Sequence, residues 1–121
     1  MHDATEGGVR NAVWEMAQAS GLGVEVDLTR VHVDPAVVEI SKVFRMDPLD
    51  AISEGTLLIA VEPDAASEVI ARLKNAKIPA EDIGRFTKKG DACRDRGRPF
   101  QPADRDPFWI AFSRAIAGEI S

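Results

Sequence analysis

The spacing of apolar residues along the chain predicts an alternation of helices and strands. Apolar and small side chains recur every three or four residues in the segment that ends at Gly21 and Gly23, which predicts a first helix with glycines at its end. Residues 24–28 then alternate apolar with acidic side chains, a pattern typical of a strand with one buried face. A second apolar stripe predicts a helix over residues 35–45, with a proline at its first position.

The middle of the chain contains its most continuously apolar segment, residues 56–61. Such a β-prone run without alternation predicts a central strand that is covered on both faces. A helix follows that begins at Pro63 and Asp64 and stops near Lys77, and residues 83–87 predict a further strand. The order of elements predicts an α/β fold of the α+β kind, a three-layer α/β/α sandwich with a mixed sheet. The third helix is expected to face inward through Ala66, Val69, Ile70 and Leu73.

The last part of the chain has the composition of a linker, but its turn residues predict further structure. A small β-hairpin is expected to turn at Gly97, and Pro99 confines one of its strands to a sheet edge. Pro107 begins a final helix whose apolar face is expected to dock on the domain. That face comprises Phe108, Trp109, Phe112 and Ile116.

A chain of 121 residues with 45% apolar and 29% charged side chains is long enough to bury the core of one domain. We expect that core in residues 1–87 and the hairpin and last helix in residues 88–121. Lysine and arginine number 15 against 20 acidic residues, so the net charge of −5 disfavours nucleic acid as a partner. No apolar run approaches the roughly 20 residues of a membrane span and no signal peptide is evident, which predicts a cytoplasmic protein without a membrane partner.

The composition also limits metal and thiol chemistry. Cys93 is the single cysteine, so no internal disulfide can form, and it is expected to be a small, partly buried apolar residue. With two histidines there is no Cys/His set at zinc spacing, and no metal site is expected. Trp14 and Trp109 are expected in the core or at an interface, and His32 at the surface or in a turn.

The first eight residues, MHDATEGG, are the strongest candidate for a binding site. Gly7 and Gly8 stand directly before the first helix, and glycines let a ligand approach the partly positive backbone N–H groups of a helix N-terminus. We predict that this turn opens the helix and points its donors into a solvent-accessible concavity. Such a nest suits a phosphate or an activated carboxyl group. Asp3 or Thr5 is expected to cap the helix.

The polar side chains of this segment each allow two interpretations. His2 and Asp3 have the pairing of an acid–base step, in which the carboxylate fixes the tautomer of the imidazole, or they belong to a mobile chain start. The Thr5 hydroxyl can bind a phosphate as well as cap the helix. Glu6 either complements the helix dipole in the first turn or coordinates magnesium.

Two longer segments resemble one protein family. MHDATEGGVRNAVWEMAQASGLGVEVD and VHVDPAVVEISKVFRMDPLDAISEGTLLIAV are similar to the C-terminal domain of the aminoimidazole ribonucleotide (AIR) synthetase-related superfamily, which includes AIR synthase-related and HypE-like hydrogenase expression/formation proteins. The motif pair HDxTEGG and SEGxLLIAV carries the resemblance, which covers residues 1–87. It implies an AIR synthase C-terminal domain-like fold.

The resemblance also implies how a complete member would work. The family binds ATP and magnesium largely through an N-terminal domain, which is absent here and usually builds a dimer, and it activates a carbonyl or amide oxygen by phosphorylation before displacement. The turn that binds phosphate or substrate would comprise Thr5, Glu6, Gly7 and Gly8, with Ser53 and Gly55 as a second wall of the same cleft. The candidate catalytic residues that line this cleft are His2, Asp3 and Glu54.

Departures from the family shape the expected function. Besides the N-terminal domain, the chain lacks the reactive C-terminal cysteine of the hydrogenase-maturation branch and ends in residues 117–121, AGEIS. The isolated chain is therefore expected to bind phosphate or substrate groups without turnover and to hold no cofactor tightly. Its expected partners are the missing domain, a second copy of the chain and a maturation partner protein. The alternative is a stand-alone interaction module or maturation scaffold without the enzyme's chemistry.

Overall fold

The computed structural model describes residues 1–118, and the last three residues of the chain end discussed above, 119–121, lie outside them. Within the described part, six strands and four α-helices form a mixed α+β domain, with 3-10 turns at Leu28–Arg30 and Pro63–Ala65. The strands are β1 (His2–Ala4), β2 (Leu22–Val26), β3 (Thr56–Leu58), β4 (Gly84–Lys89), β5 (Cys93–Asp95) and β6 (Arg98–Pro99). The helices are α1 (Gly8–Ser20), α2 (Pro35–Val43), α3 (Ala66–Asn75) and α4 (Pro107–Ile116).

The strands of the described residues form two sheets rather than the single mixed sheet expected from the sequence. β1 pairs antiparallel with β3, so that Asp3 lies opposite Leu57. The larger sheet has the order β4-β2-β5-β6, in which β2 is antiparallel to β4 and parallel to β5. The α+β class and the mixed pairing confirm the predicted fold class, while the three-layer arrangement stays a prediction.

The hydrophobic core lies between α1 and the strands β1 and β2. One face of α1 is buried at spacings of three, four and eight residues, which is the periodicity expected of an amphipathic helix. Two of its four buried non-glycine side chains are alanines, which lets the helix approach the strands closely. The core cluster comprises Ala4, Val9, Ala12, Val13, Ala17, Val24, Val26, Leu28 and Cys93.

Cys93 has the role expected from the sequence. Its side chain belongs to the core and is only 7% exposed. Burial raises the pKa of the Cys93 thiol, because the charged thiolate is disfavoured away from water. Cys93 therefore contributes to packing and is a poor nucleophile at neutral pH.

Positive-φ glycines at two turns confirm sequence predictions. Gly21 ends α1 with a φ of 70° and donates its N–H to the carbonyls of the last helical turn. Arg96 and Gly97, with φ of 50° and 80°, form the two-residue turn between β5 and β6, and Pro99 lies on the edge strand. Gly23 was expected at the helix end but lies inside β2, where a Cβ would collide with the side chains of Thr87 and Asp91.

The strand expected over residues 24–28 begins earlier, at Leu22, and stops at Val26. The Asp27 carboxylate accepts a hydrogen bond of 3.0 Å from the Thr29 N–H and so begins a 3-10 turn, which turns the chain out of the sheet. Leu28 consequently reaches the core from this turn rather than from a strand.

The prediction of a covered central strand over residues 56–61 is wrong. Only Thr56–Leu58 pairs as a strand, and its described partner is β1 alone. Leu57 is 52% exposed, and Ile59 and Val61 are exposed as well. Within residues 1–118 the run is therefore covered on one side only, where Leu58 packs against the core.

Two helices are also less buried than their apolar stripes suggest. On α2 the stripe faces solvent, since Val37, Ile40 and Val43 are exposed, and the one buried residue is Ser41, whose Oγ has no described hydrogen-bond partner. The helix ends two residues before the predicted boundary. The inward face predicted for α3 is only half-buried along its length.

Asp95 joins the hairpin to the turn that follows β2. Its Oδ1 accepts a hydrogen bond of 3.0 Å from the Leu28 N–H. Burial by itself would raise the pKa of the Asp95 carboxyl, but this hydrogen bond and the Arg96 guanidinium outweigh it and hold the pKa below its ordinary value. The ionised carboxylate is therefore the form that stabilises the fold.

Replacing Asp95 with asparagine should flatten the acid side of the stability profile. A folded-state pKa below the unfolded value of about 3.9 means that the carboxylate contributes stability above that pH, and that the contribution is lost as pH falls through the folded-state pKa. Urea unfolding across the range from about pH 5 to pH 2 measures this loss, which should be smaller in Asp95→Asn than in the parent chain. Asp64→Asn, at an exposed position, is the control, and its stability should depend on pH as that of the parent chain does. If the stability of Asp95→Asn also depends on pH as in the parent chain, the Asp95 carboxylate does not stabilise the fold as described.

Candidate functional site

The turn that connects β1 to α1, residues 5–8, has the predicted position at the start of the first helix. Gly7 is the N-cap residue with a φ of 84°, and the helix begins at Gly8, with a φ of 69°. Two successive residues in the left-handed region require glycine, because a Cβ is strained there. The predicted helix start is thereby confirmed.

Gly8 is buried against the chain's own backbone. A Cβ at this position would collide with the carbonyl oxygen of Leu49 and lie 2.7 Å from that of Ala51. The next residue but one, Arg10, donates its backbone N–H to the same Leu49 carbonyl at 3.0 Å. The missing side chain of Gly8 therefore lets the backbone of residues 49–51, rather than a ligand, come close to the start of α1.

The two turns of the motif pair lie side by side. The carbonyl oxygen of Thr5 accepts hydrogen bonds from the Gly8 N–H at 3.1 Å and from the Ser53 N–H at 3.0 Å. Ser53 also contacts Thr56 through its hydroxyl, at 3.2 Å. Glu54 and Gly55, next along the chain, are exposed. The structure thus brings together the residues that the sequence places on two walls of one cleft.

The expected pairing of His2 with Asp3 is wrong. Neighbouring residues of a strand point to opposite faces, so the Asp3 carboxylate cannot orient the imidazole. The Nε2 of His2 lies 2.6 Å from Oε2 of Glu15 on α1, and the other oxygen of Glu15 accepts a hydrogen bond of 2.8 Å from Asn11. The partner of His2 thus comes from one face of the first helix, thirteen residues away.

Asp106, the residue before α4, supplies a carboxylate at the start of α1, where a capping side chain was expected from Asp3 or Thr5. Neither of those side chains caps α1; instead Oδ2 of Asp106 accepts a hydrogen bond of 2.7 Å from the Gly7 N–H. The Gly8 N–H is bonded to Thr5, as described above, so the donors of Gly7 and Gly8 do not point into an open concavity. As arranged here, these two amides do not fit a phosphate group, because each already has an acceptor from the chain.

Glu6 also has a partner that the sequence does not suggest. It precedes the helix instead of lying in the first turn, and its Oε1 accepts a hydrogen bond of 3.1 Å from the indole Nε1 of Trp109. Trp109 stacks edge-on against Phe108 and Phe112, with ring centroids 5.1 and 6.2 Å away. The exposed rings of α4 therefore lie next to the candidate site.

Arg10 holds the segment that Gly8 touches, a role that sequence reasoning missed. Its Nε lies 2.6 Å from Oδ1 of Asp50, and its Nη2 lies 3.0 Å from Oδ2 of Asp47. The guanidinium side chain is only 18% exposed. We call Arg10, Asp47 and Asp50 the arginine clamp. Its signal in the sequence is the DPLD stretch, whose two carboxylates flank a proline turn.

A surface hollow of about 370 Å³ lies at the other end of α1. Trp14 packs against the core and lines this hollow. The sequence predicted a position in the core or at an interface for this tryptophan. His32 is exposed, as expected. The further lining residues are Gln18, Leu22, Asp91, Ala92, Cys93, Pro99, Phe100 and Gln101.

Residues 1–118 contain neither a cluster of metal-ligating side chains nor a helix that could span a membrane. No three His, Cys, Asp or Glu side chains of this part of the chain come together as a metal-binding group. None of its helices combines the length and the apolar character needed to cross a bilayer.

Comparison with known proteins gives the family. A family model described as "AIR synthase related protein, C-terminal domain" matches residues 1–94, and the chain belongs to this family. Carbamoyl dehydratase HypE of Escherichia coli is 42% identical over 73 residues, which are 60% of this chain and 22% of that protein. The PurL subunit of phosphoribosylformylglycinamidine synthase of Corynebacterium aurimucosum is 32% identical over 90 residues, 74% of this chain and 10% of that protein.

The fold agrees with the same family. The crystal structure of E. coli HypE matches with a TM-score of 0.72 and 33% sequence identity, over 87% of this chain and 34% of that one. The resemblance to AIR synthase-related and HypE-like proteins is therefore confirmed. The chain spans between 10% and 22% of the length of the two relatives named above.

Proposed function

We propose that this chain is the C-terminal domain of an ATP-dependent, HypE-like enzyme of the AIR synthase-related family. The complete protein would activate a carbonyl or amide oxygen by phosphorylation, which makes that oxygen a leaving group for displacement. We call residues 5–8 and 53–55, the two turns of the motif pair, the signature turns. The observation that carries the proposal is the Thr5 carbonyl, which joins these turns through hydrogen bonds from Gly8 and Ser53. Family membership supports the reaction class.

In this proposal the chain contributes one wall of the site. Thr5 to Gly8, with Ser53 and Gly55, would hold a phosphate or substrate group once the Gly7 amide is released, and the carboxylates of Asp3 and Glu54 are exposed beside them. His2, paired with Glu15, is placed to hold or transfer a proton at its ring nitrogen. ATP and magnesium would be held mainly by the N-terminal domain, which supplies the charge stabilisation that phosphoryl transfer needs.

Exposed apolar surface supports a docking role for the chain. Leu57 on β3 and, separately, Ile40 and Val43 on α2 are exposed apolar side chains, and exposed apolar surface can mark protein contacts. We propose that the N-terminal domain of the complete protein covers this surface. A second copy of the chain could cover the same apolar surface instead.

The isolated chain should release no phosphate from ATP, yet it should bind the N-terminal domain of E. coli HypE in a calorimetric titration. Leu57→Asp should weaken that binding, because it places a charge in the proposed interface, whereas Ser67→Asp on the exposed side of α3 should not. Sustained hydrolysis by the chain alone that falls in Glu54→Gln would show that the chemistry does not depend on the absent domain. Binding that is equal in both aspartate variants would place the interface elsewhere.

A stand-alone interaction module is the second candidate, favoured by the pairing of the Gly7 and Gly8 amides within the chain.

Under either function the exposed rings of Trp109 and Phe112 and the apolar stripe of α2 should drive self-association. Light scattering at micromolar concentration should give a mass above that of one chain, and Phe112→Ser should lower it. A monomeric mass at all concentrations would contradict self-association.

A further inference from the structure

Helix α4 contacts the signature turn although it lies beyond the residues that the family model matches, 1–94. Two hydrogen bonds make this contact, one from the Gly7 amide to Asp106 and one from the Trp109 indole to Glu6. Both bonds come from the first turn of α4 and its N-cap. They join a segment outside the family's matched region to residues 5–8, which belong to the first motif of the pair.

The Asp106 carboxylate does more than cap its own helix. One oxygen accepts the Phe108 N–H at 2.8 Å, which is the ordinary N-cap bond of α4, and the other accepts the Gly7 N–H at 2.7 Å. Asp34 begins α2 with the same Asp-Pro sequence, and its carboxylate accepts from Ala36 alone among the described side-chain bonds. The bond from Gly7 is therefore not needed to cap α4 and is a second interaction of the same carboxylate.

The same carboxylate is an anion placed at the N-terminus of α1. Asp106 is only 5% exposed, and its charge lies where the helix dipole and the backbone amides favour a negative group. A buried carboxylate in this position provides the negative charge and the acceptor oxygens that the sequence led us to expect from a bound phosphate group. It satisfies the donor that such a group would use.

The attachment of α4 to the domain is otherwise slight. Among its own residues only Ala111 is buried, while Trp109, Ile110 and Phe112 are exposed. A helix with so little buried apolar surface belongs to the part of a fold that opens most readily. Asp106 and Trp109 therefore carry a large share of its attachment to the signature turn.

We propose that α4 is an autoinhibitory latch, in which the Asp106 carboxylate occupies the anion position at Gly7 until the helix detaches. Detachment would free the Gly7 amide and the Glu6 carboxylate together, because both are bonded to the same turn of α4. A phosphate group of a nucleotide or of a phosphorylated substrate then replaces the carboxylate. The latch rests on the proposed function, since it regulates the same turn.

The test is a titration of the ¹⁵N-labelled chain with inorganic phosphate, followed at the Gly7 amide by NMR. Asp106→Asn keeps one carbonyl oxygen to cap α4 but loses the acceptor for Gly7, so phosphate should shift the Gly7 resonance saturably in this variant. In the parent chain and in the control Asp34→Asn, the same concentrations should leave Gly7 unmoved. Equal shifts in all three proteins, or no shift in a folded Asp106→Asn, would overturn the latch.

Trp109→Phe gives a second route if Asp106→Asn does not fold. This variant keeps an aromatic ring and removes the indole N–H that bonds Glu6, so the Gly7 amide should exchange its hydrogen about 2- to 10-fold faster, as expected for the loss of one hydrogen bond. Unchanged exchange at Gly7 would overturn the coupling. Because binding to the N-terminal domain is measured through Leu57, a failed latch leaves that test of the proposed function intact.

Discussion

Gly8→Val should lower the free energy of unfolding by about 3–5 kcal/mol, a large fraction of the roughly 5–15 kcal/mol that stabilises a typical domain. A β-branched residue is strained at a φ of 69°, and its Cβ would collide with the carbonyl oxygens of Leu49 and Ala51. Backbone atoms cannot move aside as a flexible side chain can. Urea unfolding followed by far-UV circular dichroism measures the loss.

Gly21→Val is the matched control for this substitution. Gly21 has nearly the same φ, 70°, but nothing lies within 4 Å of a Cβ at that position. Its cost should be the backbone strain alone, about 1–2 kcal/mol. If the two valine variants lose equal stability, the contact of Gly8 with residues 49–51 does not matter.

Arg10→Met should cost about 1–2 kcal/mol of unfolding free energy, because it leaves the carboxylates of Asp47 and Asp50 side by side without their cation. Methionine preserves much of the apolar stem, so the lost charge and hydrogen bonds dominate the change. The loss should shrink at high salt, since screening also weakens the interaction in the parent chain. Urea unfolding at low and high ionic strength measures both effects.

Arg72→Met tests whether any arginine would give this result. Arg72 pairs with Glu68 one turn away on the exposed surface of α3, where an ion pair contributes roughly 0.5 kcal/mol or less. A loss as large as that of Arg10→Met would mean that the arginine clamp has no special role. A loss near zero would show that the effect is specific to the arginine clamp.

Gly8→Val and Arg10→Met both disturb the packing of residues 47–51 against α1. The arginine clamp holds residues 47–51 against α1, and Gly8 has no side chain because those residues pass directly over it. The glycine of the family motif is thus required for packing whether or not a ligand binds. For this reason the motif identifies the fold more firmly than it identifies a reaction.

Local chemistry determined several elements from the sequence alone. The apolar spacing of α1, the Gly21 end of that helix, the Pro35 start of α2 and the turn at Gly97 all follow from properties of neighbouring residues. Proline, glycine and aspartate act within a few residues of their own position, so a tertiary structure is not needed to interpret them. The motif pair determined the family for the same reason, because it is a contiguous pattern.

Only the tertiary structure decided which groups meet across the chain. The partner of His2 is Glu15 rather than its neighbour Asp3, and the carboxylate at the start of α1 comes from Asp106, 99 residues from Gly7. Contacts of this separation depend on how whole elements pack, which local propensity does not encode. The exposed strand at Leu57 has the same cause, since an apolar run shows that burial is favourable but does not show which surface will provide it.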